Sequence, residues 1–317
     1  MEYRILGGSG LKVSEFCLGA LPMGPLQSNI SAAEGGKIIR LALEHGINFI
    51  DTAQIYKTYP HIRAALNGYS GEVIINSKST AETYEDMEAA VNEALRELGR
   101  DYIDIFLLHA ARVQPDVFIK RAAAWECLQE YKRKGYIRAI GISTHSVTTV
   151  EASVLLPQVD IIFPLINYQG LGILDGNKDT MLAAITQAAQ AGKGLYAMKA
   201  LAGGSLLGEL PQALAFVRQV PGISSVALGI TSAAELLMDL KLFNGEDLSQ
   251  EELASLKNHK QLFFMPFCRG CGACAAGCVN DAISMIEGRP QVDTKKCVLC
   301  GYCTPRCPEF AIRLKER

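Results

Sequence analysis

Eight cysteines near the end of the chain form the most specific pattern in the sequence. They fall into two runs of four, and within each run the cysteines are separated by two, two and three residues. The runs are Cys268, Cys271, Cys274 and Cys278, and, 29 residues later, Cys297, Cys300, Cys303 and Cys307. Ala282-Ile283 recurs at the same offset as Ala311-Ile312, which indicates a duplicated half-domain. Clustered cysteines in a chain without an export signal are typical of metal ligation rather than of disulfides.

The spacing predicts two [4Fe–4S] clusters. In bacterial ferredoxins that hold two clusters, three cysteines of a run ligate one cluster and the fourth ligates the other. One predicted ligand set is therefore Cys268, Cys271, Cys274 and Cys307, and the other is Cys297, Cys300, Cys303 and Cys278. Pro308 follows Cys307 as that pattern requires, whereas Val279 follows Cys278. Zinc is the alternative, although zinc sites favour paired C-x2-C knuckles with longer gaps. The spacing leaves open whether the clusters carry electrons or stabilise a small domain.

A second set of reactive side chains lies in the first third of the chain. It consists of Asp51, Tyr56, Lys78 and His109. A phenol with a pKa near ~10 is a poor acid at neutral pH, and an adjacent ammonium held by a carboxylate is expected to lower that pKa. Such a tyrosine can protonate a carbonyl oxygen while the histidine orients it. Taken singly, an aspartate at a strand end or a lone histidine is more often structural, so the prediction depends on all four occurring together.

Short apolar segments place these residues at the ends of strands. The predicted strands are VSEFCLG (13–19), FID (49–51), VIINSK (73–78), IDIFLLH (103–109), RAIGIS (138–143), IIFPLIN (161–167), LYAMKA (195–200) and SSVALGI (224–230). Helical patterns such as 83–100, which ends at Gly99, alternate with them. Eight strand–helix units predict an α/β fold that closes as a (β/α)8 barrel, with a doubly wound open sheet as the competitor. Barrel enzymes build their active sites at the carboxyl ends of the strands.

The remaining segments complete a two-domain organisation. Residues 3–13 predict a hairpin that turns at its glycines, and Ser249 with Glu252 predicts a capped helix. The expected division is a barrel over 1–245, a linker helix over 246–266 and a small ferredoxin-like α+β iron–sulfur domain over 267–317. Cys17 and Cys127 lie among apolar neighbours and are interpreted as core residues.

Composition narrows the function classes. The net charge is −2, with 31 Lys and Arg against 33 Asp and Glu dispersed along the chain, so a nucleic-acid surface is not expected. No apolar run is as long as a membrane span, and the first residues do not match a signal peptide. We therefore expect a cytoplasmic protein without a membrane span.

The first three quarters of the chain resemble the aldo-keto reductase family. The resemblance covers about residues 3–240 and rests on GLKVSEFCLGALPMG, GINFIDTAQIY, DYIDIFLLH, KGYIRAIGIS and AMKALAGG. It implies a (β/α)8 barrel, the catalytic set Tyr56, Lys78, Asp51 and His109, and a nicotinamide cofactor, usually NADPH. The cofactor-binding positions that it implies are Ser143, Asn167, Leu201, Gly203, Gly204, Gly229, Thr231 and Glu235. Residues 201–206 match the family's loop over the cofactor pyrophosphate. Barrels of this family with an appended iron–sulfur module look like a recognisable subgroup.

The chain departs from the family pattern after the last predicted strand. Thr231 and Ser232 stand where many members carry a cation for the 2′-phosphate, and Asp239 replaces an asparagine. Both NADP(H) and NAD(H) therefore remain as predictions. FMN is a third, because a flavin converts one-electron transfer by clusters into two-electron chemistry.

These features predict an oxidoreductase that reduces an aldehyde, a ketone or a related small carbonyl compound. The first alternative is an FMN-containing iron–sulfur oxidoreductase, and the second is a non-catalytic electron-transfer partner. A ferredoxin or a flavoprotein is the expected protein partner.

Overall fold

The computed structural model describes residues 1–111, 115–256, 260–300, 302–309 and 311–316. Within these ranges eleven α-helices and fourteen strands are formed. The strands are β1 (Tyr3–Ile5), β2 (Lys12–Ser14), β3 (Phe16–Gly19), β4 (Phe49–Asp51), β5 (Ile74–Ser79), β6 (Ile103–His109), β7 (Ile137–Thr144), β8 (Ile161–Pro164), β9 (Gly194–Ala197), β10 (Ile223–Gly229), β11 (Lys260–Phe264), β12 (Ile283–Ile286), β13 (Arg289–Val292) and β14 (Ile312–Glu316). The helices are α1 (Ala32–Glu44), α2 (Tyr59–Leu66), α3 (Tyr84–Leu98), α4 (Val117–Lys120), α5 (Ala122–Arg133), α6 (Val147–Val154), α7 (Lys178–Gln190), α8 (Leu210–Arg218), α9 (Ala233–Phe243), α10 (Gln250–Ser255) and α11 (Ala273–Ala276).

Strands β3 to β10 form a closed parallel barrel in chain order, in which β10 pairs with β3. This confirms the predicted barrel and excludes the open sheet. The strands are short and buried on both faces, because one face lines the barrel and the other packs against the helices. In β6, Ile105 and Leu107 lie in the inner core, whereas Phe106 and Leu108 pack under the helices.

The barrel is closed at its amino-terminal end by the predicted hairpin. β1 and β2 pair antiparallel, and the hairpin contributes Leu6, Leu11 and Val13 to the inner core. The amide of Gly8 donates to the carbonyl of Gly192, just before β9. The opposite end, where the strands terminate, is therefore the one available for a site.

Local sequence signals set several helix boundaries as predicted. Helix α3 begins after Thr83, whose side chain accepts from the amide of Asp86, and it ends at Gly99 with φ 67°. Ser249 and Glu252 form the expected capping box of α10. Cys17 and Cys127 are fully buried, as predicted.

The predicted linker helix is shorter than expected. Helix α10 ends at Ser255, and residues 260–264 form β11, which pairs antiparallel with β14 at the end of the chain. The prediction of a helix over 246–266 is therefore wrong for 260–264, since pairing with a distant strand overrides the local pattern. Residues 257–259 lie outside the described ranges.

The predicted iron–sulfur domain has the internal symmetry that the sequence indicated. It contains two antiparallel pairs, β11 with β14 and β12 with β13. The amide of Ala282 donates to Cys278 Sγ at 3.3 Å, and the amide of Ala311 donates to Cys307 Sγ at 3.2 Å. Ile283 and Ile312, which follow these alanines, are both buried in the domain core.

Candidate active site

The four predicted catalytic side chains converge at the carboxyl end of the barrel. Asp51 and His109 are the last residues of β4 and β6, and Lys78 is the penultimate residue of β5. Tyr56 lies in the 3₁₀ turn that follows β4. All four side chains are buried. Parallel strands bring their carboxyl ends to one rim, so the spacing along the chain becomes proximity in space.

Asp51 and Lys78 form a buried ion pair with every ammonium donor engaged. Lys78 Nζ donates to Asp51 Oδ1 at 2.7 Å, to Asp51 Oδ2 at 2.8 Å and to the Thr52 carbonyl at 2.7 Å. Asp51 Oδ1 also accepts from Asn76 Nδ2 at 2.7 Å and from the Tyr196 hydroxyl at 3.0 Å. Burial lowers the pKa of Lys78, and the paired Asp51 carboxylate opposes that shift. The carboxylate is thus held in one position by three side chains.

The expected lowering of the Tyr56 pKa is wrong. Burial raises the pKa of Tyr56 well above its ordinary value, and Tyr302 and Asp51 add to the rise. Lys78 does not offset this, because its ammonium is paired with the Asp51 carboxylate, whose negative charge opposes the effect of the ammonium on Tyr56. Tyr56 is therefore protonated at neutral pH, which is the form that a proton donor requires.

His109 is held as a neutral imidazole. Burial lowers its pKa well below the ordinary value, and the positive charge of Lys78 lowers it further. Its ring meets the ring of Tyr56 edge-on at 5.7 Å.

One active-site residue was missed at the sequence level. The hydroxyl of Tyr302, from the iron–sulfur domain, lies 2.8 Å from His109 Nε2 and 3.1 Å from the Tyr56 hydroxyl. Its position between Cys300 and Cys303 gave no signal, since the cysteine spacing accounts for that segment without it. Asn76 and Tyr196, which hold Asp51, were also missed.

A cavity of about 310 Å³ opens beside Tyr56 and runs along the barrel rim. It contains most of the predicted cofactor positions, namely Ser143, Leu201, Gly203, Gly204, Gly229, Thr231 and Glu235. Asn167 is not among its lining residues. The amide group of Asn167 instead donates to the Leu171 carbonyl and accepts from the Leu171 amide, both at 2.9 Å.

Residues 297–300 and 302–303, here called the cluster loop, lie over this cavity. A Cβ placed on Gly203 would lie 1.5 Å from the carbonyl oxygen of Val298, so the two backbones are in direct contact. Leu299 and Tyr302 line the cavity from the same side. Gln27 Nε2 donates to the Leu299 carbonyl at 3.4 Å. Gly203 of the predicted pyrophosphate loop therefore faces protein.

The residues that line the cavity do not fit an extended dinucleotide when the cluster loop lies in this position. Val298 covers Gly203, where the predicted pyrophosphate contact would form. At the far end of the cavity, Glu235 accepts from the amide and the hydroxyl of Thr231. Burial, together with the nearby Glu235, raises the pKa of Asp239 to about 8. Glu235 and Asp239 line this end of the cavity, and neither supplies the positive charge that a 2′-phosphate requires.

The cysteines provide thiolate donors for two clusters, and the thiols that act on one another's pKa values fall into two groups. Burial raises the pKa of Cys297, Cys300 and Cys303, and the thiol of Cys278 raises each of them further. For Cys274, burial acts first, and the neighbouring thiols are those of Cys268 and Cys271. Cys278 is therefore close enough to the second run to act on the thiols of Cys297, Cys300 and Cys303. In the described part of the chain no three Cys, His, Asp or Glu side chains are arranged around a single metal ion.

Comparison with known proteins matches both halves of this description. Residues 15–211 match the aldo/keto reductase family. The chain belongs to this family. Residues 267–317 match the 4Fe-4S dicluster domain. Across the described residues, each helix is too short or too polar to cross a membrane.

The relatives of this aldo/keto reductase are distant. Protein tas of Escherichia coli K12 is 24% identical, over 84% of this chain and 99% of that protein. Methylglyoxal reductase DkgA of Yersinia pestis is 28% identical, over 56% of this chain and 65% of that protein. An aldo-keto reductase structure from Pseudomonas aeruginosa is 25% identical with a TM-score of 0.64, over 76% of this chain and 93% of that one. The chain is thus an oxidoreductase of this family with an added iron–sulfur domain.

Proposed function

We propose that this aldo/keto reductase reduces a small carbonyl compound in the barrel cavity, with Tyr56 as the proton donor. One observation carries the proposal: the Tyr56 hydroxyl and His109 Nε2 both lie within hydrogen-bond distance of one oxygen atom, that of Tyr302. Two groups that can hydrogen-bond to one oxygen are what a carbonyl needs for polarisation and protonation. The name of the Yersinia pestis relative, a methylglyoxal reductase, agrees with a small carbonyl substrate.

The chain's own residues have distinct roles in this reaction. Tyr56 gives its proton to the carbonyl oxygen, and the neutral His109 orients that oxygen. A bound nicotinamide or flavin would supply the hydride that the carbonyl carbon accepts. The Asp51–Lys78 ion pair forms a rigid base for the site, because Asn76 and Tyr196 donate hydrogen bonds to Asp51. Burial of the site excludes water, which strengthens each of these interactions.

The proposed cluster ligands are Cys268, Cys271, Cys274 and Cys307 for one cluster, and Cys297, Cys300, Cys303 and Cys278 for the other. When bound, the clusters supply one-electron transfer. Cys271 is exposed, so a ferredoxin or a flavoprotein could reach the first set from solvent. The second set adjoins the barrel through the cluster loop.

Replacing Tyr56 tests the proposal. Turnover of a panel of aldehydes and ketones should be measured anaerobically with the full chain holding its clusters, using NADPH, NADH or photoreduced methyl viologen as reductant. Tyr56→Phe should lower kcat at least about 100-fold with the best pair, because general acid catalysis typically contributes that much. Tyr59→Phe is the matched control, since Tyr59 is also buried but its hydroxyl bonds to Ser77 at 2.7 Å. Full turnover by Tyr56→Phe would contradict the mechanism.

An FMN-containing enzyme is the second candidate, favoured by the contact between Val298 and Gly203. That contact obstructs a dinucleotide but leaves a cavity of about 310 Å³, within the range of small-molecule sites. Extraction of the anaerobically purified protein separates the candidates. Released flavin supports FMN, whereas flavin-free protein that turns over with NADPH supports the nicotinamide prediction.

A further inference from the structure

Tyr302 occupies the place that the proposed reaction assigns to the substrate. Its hydroxyl oxygen lies 2.8 Å from His109 Nε2 and 3.1 Å from the Tyr56 hydroxyl. These are hydrogen-bond distances, and a second oxygen cannot occupy the same point. A carbonyl oxygen therefore reaches Tyr56 and His109 only after the Tyr302 hydroxyl has left.

The position of Tyr302 in the chain links this exchange to the iron–sulfur domain. Tyr302 stands directly before Cys303 and two residues after Cys300, both proposed ligands of the second cluster. Leu299, in the same loop, has a left-handed backbone with φ 46°, which is uncommon for a residue other than glycine. Strained residues of this kind occur where the surrounding contacts over-determine the backbone, often at functional sites.

We propose that Tyr302 is a fifth active-site residue that competes with the substrate for Tyr56 and His109, so that carbonyl binding displaces the cluster loop and is sensed at the second cluster. The inference rests on the proposed function, because it takes Tyr56 and His109 as the groups that hold the carbonyl oxygen. The cluster loop thereby takes part in substrate selection, because a ligand must replace both hydrogen bonds of Tyr302 in order to bind.

The energetic balance makes the exchange feasible. Two hydrogen bonds to Tyr302 are lost and two to the carbonyl are gained, so the exchange of hydrogen bonds is close to neutral. The remaining cost is the displacement of the loop from the barrel, where Val298 contacts Gly203 and Gln27 bonds to Leu299. Because coupling between two sites is reciprocal, any change at the second cluster that moves this loop must also change the affinity for the carbonyl.

Binding of acetophenone, an uncharged ketone, to the oxidised full chain with both clusters tests the competition. Tyr302→Ala should lower Kd about tenfold or more by calorimetry, because no side chain then has to leave the site. Tyr302→Phe, which loses both hydrogen bonds but keeps the ring, should give an intermediate value. Tyr136→Phe, at a half-exposed tyrosine distant from the cavity, should bind as the unchanged protein does. Equal, weaker or absent binding in both Tyr302 variants would overturn the proposal.

The electron paramagnetic resonance spectrum of the photoreduced protein provides a second readout, which a merely structural tyrosine would not affect. Acetophenone should change the signal of one cluster in the unchanged protein but not in Tyr302→Ala, where the loop need not move. The same change in both proteins would overturn the linkage. Measurement of iron and acid-labile sulfide establishes that each variant keeps both clusters. If Tyr302→Ala loses a cluster, the same comparison is made with Tyr302→Phe.

The outcomes separate this inference from the proposed function. If Tyr56→Phe keeps full turnover while Tyr302→Ala binds the ketone more tightly, the assignment of Tyr56 as the acid fails and the competition stands. If Tyr56→Phe loses turnover and the Tyr302 variants bind no more tightly, the proposed function stands and the competition fails.

Discussion

At the scale of single residues, the two lysines of the site, Lys78 and Lys199, have different surroundings. The Lys78 ammonium is fully engaged by Asp51 and Thr52, so it anchors the site and does not activate the phenol of Tyr56. Lys199 is the contrasting case. It lines the cavity, and no described residue forms a hydrogen bond or an ion pair with its ammonium. Burial lowers the pKa of Lys199, and the nearby thiols of Cys300 and Cys297 oppose that shift.

Replacing Lys199 should lower the midpoint potential of one cluster. A positive charge near a cluster favours its reduced form, which is more negative, so Lys199→Met should move one potential negative by roughly 60 mV, a tenfold change in the reduced-to-oxidised ratio. Lys199→Arg keeps the positive charge, so the midpoint potential should change little. A redox titration followed by electron paramagnetic resonance measures both clusters. Lys37→Met, which removes an exposed charge on α1, is the control. Unchanged potentials in Lys199→Met would contradict this role.

At the scale of elements, the iron–sulfur domain meets the barrel through a contact between two loops, the loop that contains Gly203 and the cluster loop. Gly203 lies after β9 with φ 69°, and the cluster loop lies directly against it through Val298. Ser205 Oγ also donates to the Cys297 carbonyl at 3.5 Å. The loop that the family pattern reserves for a cofactor phosphate is used here, in this arrangement, as a docking surface for the iron–sulfur domain.

Gly203→Ala should separate these loops. A left-handed φ disfavours alanine, and its Cβ would meet the Val298 carbonyl oxygen, so the cluster loop must move away from the barrel. We expect faster hydrogen exchange at the amides of Val298 and Leu299, and a loss of about 1–3 kcal/mol in the free energy of unfolding. Gly208→Ala is the matched control, because no atom lies within 4 Å of its added Cβ. Unchanged exchange at Val298 in Gly203→Ala would mean that this contact does not hold the loop.

The sequence could predict those elements whose signals are local. The eight barrel strands, the hairpin and the Gly99 stop each follow from patterns within a few residues, and all are present. Because strand ends share one rim in a barrel, the meeting of Asp51, Lys78 and His109 could also be predicted.

Long-range contacts could not be predicted. Tyr302 meets His109 across 193 residues of chain, and no spacing rule connects a cysteine-rich loop with a barrel rim. Residues 260–264 lie next to a correctly predicted helix but pair with β14, about fifty residues later. In both cases the deciding partner belongs to another part of the chain, and a single sequence carries no record of the pairing.

At the scale of the whole molecule, the two groups of cysteines face different surroundings. Cys271 is exposed, whereas Cys300 packs with Ala202 and Leu206 on the barrel. The duplicated domain is thus oriented with one half toward solvent and the other toward the cavity. This arrangement agrees with the proposal that the first cluster exchanges electrons with a protein partner while the second adjoins the active site.

The predicted exchange of one ligand between the two runs can be tested by replacing single cysteines. Cys278 lies in the first run but acts on Cys297, Cys300 and Cys303, so Cys278→Ala should disturb the cluster next to the barrel. Cys307→Ala should disturb the first cluster, the one proposed for Cys268, Cys271 and Cys274, although Cys307 belongs to the second run. Each variant should lose about half of the iron, and only Cys278→Ala should abolish the resonance signal that Lys199→Met shifts. Cys127→Ala, in the barrel core, should keep both clusters. If Cys278→Ala and Cys274→Ala abolish the same signal while Cys307→Ala abolishes the other, each run binds its own cluster and the exchanged arrangement is wrong.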